Sequence, residues 1–129
     1  MLWERQHDAM QRYIGTYEGA MIADGTTTVI TKLFNRGSSS LEGRYMMIYG
    51  HDPHPRVELG LLGPCLLPSP RELFCVWLDR GGIGFVSMLF NARADEFKGM
   101  YTLYGRTGLL QRMEPAFWNQ MTDWNGKLR

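Results

Sequence analysis

Two histidines three positions apart, His51 and His54, share a short segment with Asp52, Pro53 and Pro55. Paired imidazoles on one loop can hold a metal ion, but a closed zinc site wants four ligands and a catalytic one three plus water. Asp52 is adjacent, neither cysteine is near in sequence, and the prolines alone account for a rigid turn. No metal ligand is assigned, and the pair reads as neutral histidines bonded to solvent. Ser87 and Ser38-Ser39-Ser40 lack the strand-turn-helix setting that activates a nucleophile. Cys65 and Cys75 lie among apolar residues, which raise a thiol pKa instead of lowering it. Gly81-Gly82-Ile83-Gly84 lacks the helix that a phosphate loop opens and reads as a hairpin turn. What remains is general acid–base work by His51 or His54 with Tyr49 or Tyr104, isomerising or decarboxylating a small acid. No spacing singles that chemistry out, so no catalytic residue is assigned and the enzyme is the alternative reading.

The elements that would position these groups are marked by one phrase written three times: apolar-x-Gly-x-Tyr at Tyr13–Tyr17, Leu41–Tyr45 and Phe97–Tyr101. Side chains alternate faces along a strand, so the apolar residue, the Gly and the Tyr share a face. Thr16, Glu18, Glu42, Arg44, Lys98 and Thr102 fall on the other face, which removes Glu18 and Glu42 as an inward carboxylate pair. An inward Gly beside an inward aromatic suits a sharply coiled, closing sheet.

Residues 2–12 alternate as an amphipathic helix, with Leu2, Trp3 and Met10 on one side. Turn residues then delimit strands near 13–23, 26–35, 41–50, 57–66, 72–79, 83–91, 97–105 and 108–113. The expected fold is all-β: a single eight-stranded antiparallel up-and-down barrel with a short N-terminal helix, a ninth or tenth strand being the variant if the tail adds to the sheet. One domain, 1–129, divides into the helix (1–12), the barrel (13–113) and an aromatic C-terminal segment (114–129). Within that segment Trp124–Leu128 reads either as a strand that completes the sheet or as part of a strap over its outside. A hairpin loop centred on Pro70 would set Cys65 and Cys75 directly opposite each other, where good local geometry permits a disulfide. The favoured reading is two small buried hydrophobes with free thiols.

The length suits one domain with a real core. The 44% apolar and 21% charged fractions are ordinary, and the formal net charge is +1, from 14 Lys and Arg against 13 Asp and Glu. No basic run stands out, which argues against nucleic acid or an anionic membrane as partner. No apolar stretch reaches transmembrane length, and the charged opening Met1–Asp8 is not a signal peptide. The expected location is the cytoplasm, or outside it (secreted or periplasmic) if a signal peptide has been removed.

A helix followed by about eight up-and-down strands resembles the calycin group of barrels, which includes lipocalins, avidins and fatty-acid-binding proteins. Gly15-Thr16-Tyr17 stands where lipocalins carry Gly-x-Trp, with Tyr in place of Trp. The biotin-binding side chains of avidin, and the paired arginines with tyrosine of fatty-acid-binding proteins, have no counterparts here. The resemblance implies that a small, largely apolar or amphipathic molecule binds inside the barrel, and no cofactor is implied. Taking the repeated phrase as the inward face, the candidate lining is Tyr17, Tyr45, Met47, Tyr49, Trp77, Phe97, Tyr101 and Leu103. If the helix closes the end where the first strand begins, loops 24–25, 50–56, 79–82 and 105–108 ring the open end. Tyr49, His51, His54, Arg80, Tyr104 and Arg106 then surround the mouth. Either Leu73, Cys75 and Trp77 or Phe74, Val76 and Leu78 point inward; the Trp77 face is the one taken. The remaining apolar outer face could meet a second subunit, so a homodimer with a filled barrel is the other alternative.

Overall fold

The computed structural model describes residues 9–21, 27–35, 41–50, 56–102 and 122–129. Its strands are β1 (Gly15–Met21), β2 (Thr27–Asn35), β3 (Leu41–Tyr49), β4 (Arg56–Leu62), β5 (Leu66–Ser69), β6 (Glu72–Asp79), β7 (Gly82–Phe90), β8 (Glu96–Tyr101) and β9 (Thr122–Leu128). The period-2 alternation of the sequence becomes an alternation of burial, most regularly in β2, where Thr27, Val29, Thr31 and Leu33 face inward. Every pairing is antiparallel. Neighbours in sequence lie side by side from β1 to β4 and from β5 to β8, and β9 inserts between β8 and β1. Pairing of Leu61 with Leu78 and of Leu62 with Trp77 joins β4 to β6 and closes eight strands into a barrel, with β5 added along β6.

The barrel therefore does not end at residue 113. Its last strand in sequence is β9, between β8 and β1, so the Trp124–Leu128 segment completes the sheet and is no external strap. The strand expected over 108–113 and residues 2–8 of the expected N-terminal helix lie outside the described residues. Residues 9–11 are helical.

β4 and β5 are one strand broken at Gly63-Pro64-Cys65, where Pro64 has no N–H for a ladder. Gly63 N–H donates to the Val76 carbonyl and Cys65 N–H crosses to that of Leu41. From the Leu62–Trp77 pair to the Leu66–Phe74 pair, β4 and β5 advance four residues against three on β6, and a second irregularity falls between Leu66 and Ser69. Such bulges sharpen local twist, which barrel closure needs. Between the two, the pairing of Leu66 with Phe74 sets Cys65 opposite Cys75, both buried, with Cα atoms 4.3 Å apart. That is the closer of the two antiparallel pair spacings, and the cysteines form a disulfide. The free-thiol reading is thus overturned: it weighed burial alone, whereas register decides whether the sulfurs meet.

One end of the barrel is solid. Tyr13, Tyr17, Phe90 and Phe97 are all at most 1% exposed, and their rings stack with centroids 4.4–5.6 Å apart. Each hydroxyl has a partner, as a buried phenol requires. Tyr13 donates to the Pro70 carbonyl at 2.6 Å, and Tyr17 to those of Tyr13 and Ala94. Met10, at the helical turn, is buried with this group, and Arg12 donates to the Ala92 carbonyl. The helical turn thereby caps the end where β1 begins.

Candidate binding site

At the opposite end lies a cavity of about 190 Å³. Its apolar walls are Met21, Met47, Trp77 and Trp124; Tyr45, Tyr49 and Tyr101 add ring and hydroxyl, and Glu58, Asp79 and Gly81 complete the lining. Parity positions each of these. Tyr45, Met47 and Tyr49 share the inward face of β3, and register carries that face across to Gly60, Glu58 and Arg56 of β4. Leu73, Cys75 and Trp77 are buried on β6, the face favoured from sequence, and Asp79 follows two residues after Trp77.

The aromatic rings lie edge to face along the wall. Tyr45 meets Trp124 with centroids 4.8 Å apart, Tyr101 meets Trp124 at 6.3 Å, and Trp77 meets Tyr101 at 6.0 Å. Room for two of them comes from glycines on the next strand. Tyr45 is paired with Gly60 and Trp77 with Gly84, and a Cβ at either glycine would fall inside the partner ring's contact distance. Both indole N–H groups are already satisfied by the protein. Trp77 donates to the Thr102 carbonyl at 2.9 Å, and Trp124 to Thr31 Oγ1 at 3.0 Å. What the indoles contribute to the cavity is therefore ring surface.

The polar groups are few and placed. Tyr45 donates to Asp79 Oδ2 at 2.7 Å, and Gly81 N–H donates to Asp79 Oδ1 at 2.7 Å. Burial first, then the hydrogen bond to Asp79 and its charge, push the Tyr45 phenol far above its ordinary pKa. It is a proton donor to Asp79 and no base near neutral pH. At the rim the Arg56 guanidinium lies 4.7 Å from the Tyr49 ring centre and 3.8 Å from Glu58, and Tyr49 points its hydroxyl at the Met47 sulfur. Among the described residues, no three His, Cys, Asp or Glu side chains gather as a metal site.

Of the residues read from sequence as lining, Tyr45, Met47, Tyr49, Trp77 and Tyr101 converge on this cavity. Tyr17 and Phe97 stand in the solid end instead. Leu103, His51, His54, Tyr104 and Arg106 lie outside the described residues. Met21, Glu58, Asp79, Gly81 and Trp124 are additions. Asp79 reads as a turn residue in sequence, although it shares parity with Trp77. Glu58 is hidden because Val57, Leu59 and Leu61, the apolar set of its strand, face outward. Trp124 falls in the segment whose strand was one of two readings.

No family model matches the chain, and no curated protein or solved structure is significantly similar to it. The architecture, a closed eight-stranded antiparallel barrel that is solid at one end and hollow at the other, is consistent with the calycin type. No helix among the described residues is long and apolar enough to cross a membrane.

Proposed function

We propose that the protein binds a small, largely apolar molecule in the open-end cavity, in the manner of a calycin barrel. The observation that carries this reading is the asymmetry of the interior, where close-packed aromatics fill one half and leave a ring-lined space of about 190 Å³ in the other. Size bounds the ligand. A cavity of about 150 Å³ admits benzene, whereas drug-sized ligands use roughly 300–1,000 Å³. A single ring or short branched chain with one polar group suits the space, and a long acyl chain would run into Tyr17 and Phe97. Native mass spectrometry of gently purified protein, with NMR titration of small aromatic probes, tests this. Retained mass or saturable shifts at Trp77 and Trp124 are expected, and Met47→Trp, which fills the space, should abolish them. Protein that carries nothing and shows no saturable shift overturns the reading.

A second reading is favoured by the outer face. Leu59, Leu61, Leu66 and Leu78 are 49–70% exposed on adjoining strands β4, β5 and β6. Contiguous apolar surface of this kind marks interfaces, and a homodimer through it is compatible with ligand binding inside. Sedimentation of a monomer at micromolar concentration would sink it. The disulfide favours an oxidising compartment over the cytoplasm.

A further inference from the structure

We infer that the ligand is an organic cation, an amine or quaternary ammonium on a small apolar body, with its charge held between Asp79 and the aromatic wall. The inference rests on the binding reading above and narrows its ligand class. Among the described residues the cavity is lined by two carboxylates and no Lys, Arg or His side chain. Glu58 has Arg56 beside it at the rim. Asp79 is different: both its oxygens accept from neutral donors, the Tyr45 hydroxyl and the Gly81 N–H, and no described cation stands within ion-pair distance. A carboxylate fixed in place by neutral donors retains lone pairs for a further donor. Around it stand Tyr45, Trp77, Tyr101 and Trp124, whose ring faces carry the negative quadrupole that attracts cations. With both indole N–H groups turned to protein oxygens, the wall offers a neutral or anionic ligand few donors. An anion would also meet Asp79 and Glu58. The rim already shows the same recognition within the molecule, where the Arg56 guanidinium sits on the Tyr49 ring beside Glu58.

The test uses three probes of matched shape on the unaltered protein: 2-phenylethylamine, 2-phenylethanol and phenylacetate, titrated at neutral pH by NMR with the Trp77 and Trp124 indole signals as readout. The amine should bind about tenfold more tightly than the alcohol, and phenylacetate should bind worst. Asp79→Asn keeps an oxygen for Gly81 and an amide N–H for the Tyr45 oxygen. It should remove most of the amine's advantage over the alcohol. If the alcohol binds the unaltered protein as well as the amine does, the cation inference fails and the cavity reading stands. If none of the three probes shifts either indole signal, the cavity reading fails and takes the inference with it. Because the probe comparison is made on the unaltered protein, it decides the matter even where Asp79→Asn does not fold.

Discussion

The Tyr45 hydroxyl donates to Asp79 Oδ2 at 2.7 Å where the ladder between β4 and β6 has given out. Backbone pairing of those strands is confined to Leu61, Leu62, Trp77 and Leu78, so nearer the open end a side-chain bond takes the place of the ladder. The Tyr45 ring reaches Asp79 by passing over Gly60. Both residues line the interior cavity and also a shallow outer groove beside Leu59, Leu61 and Leu78, so the pair stands between the two.

Gly60→Ala should therefore be more damaging than an ordinary strand substitution. Alanine favours a strand over glycine, yet here its methyl would overlap the Tyr45 ring and force the phenol off Asp79. Overpacking of this kind costs about 1–3 kcal/mol. Tyr45→Phe, which removes only the hydrogen bond, should cost about 1 kcal/mol. Urea denaturation of the two variants orders them; a Gly60→Ala protein as stable as its parent would show that the ring does not need the space.

Alkali should destabilise the barrel from its solid end. Burial, with Tyr13 and Asp95 nearby, raises the Tyr17 pKa from 10.0 to about 12. The folded state thus holds the protonated phenol more firmly than the unfolded chain does. Its stabilisation is complete below pH 10, shrinks as the unfolded phenol ionises above that, and is exhausted near pH 12. The displacement corresponds to about 3 kcal/mol. Denaturant midpoints measured from pH 8 to pH 11.5 should fall, and Tyr17→Phe should flatten part of that slope while lowering the midpoint at pH 8. Tyr45, shifted the same way, accounts for further slope in the variant. Identical slopes in the two proteins would refute the assignment to Tyr17.

Reduction should loosen the β5–β6 hairpin. The Cys65–Cys75 bridge closes a short loop, with a sequence separation of 10. Chain-entropy arguments give roughly 2–3 kcal/mol for loops of that size. Cys65→Ala/Cys75→Ala should lose about that much in chemical denaturation, and reductant should bring the parent protein to a similar midpoint. Insensitivity to reductant would mean that the bridge adds nothing to the fold.

Much of the architecture was legible because a half-buried strand writes its pattern in every second residue. The phrases around Tyr17, Tyr45 and Tyr101 place the inward faces of β1, β3 and β8, and the turn residues delimit most strands. The three copies nevertheless serve different ends. Tyr17 joins the solid end, Tyr45 reaches across to Asp79, and Tyr101 stays half-buried in the cavity wall. Which copy does what depends on height in the barrel, and height follows from bulges and closure that no local pattern encodes. The same gap hid the glycines that matter most to the site. Pattern joins Gly43 to Tyr45 within a strand, but the ring of Tyr45 rests on Gly60 across the ladder, and that of Trp77 on Gly84. Asp79 and Glu58 were missed because a charged residue next to a turn, or among outward leucines, reads as solvated until register turns it inward.

The division of the barrel into a solid and a hollow half can be tested by damaging the solid half alone. Phe90 touches Tyr13, Tyr17 and Phe97, with ring centroids 4.4, 5.6 and 5.3 Å away, and takes no part in the cavity wall. Phe90→Ala removes the partner common to these three rings. Truncation of a fully buried phenylalanine costs about 3–5 kcal/mol, depending on how far the neighbours collapse into the space. The variant should melt at a markedly lower temperature, yet below its transition it should bind the same small probes at the open end with unchanged affinity. Tyr45, Trp77, Tyr101 and Trp124 hold one another through contacts in which Phe90 has no share. A Phe90→Ala protein that stays folded but loses probe binding would mean that the two halves are coupled, and that the solid end shapes the cavity as well as stabilising the barrel.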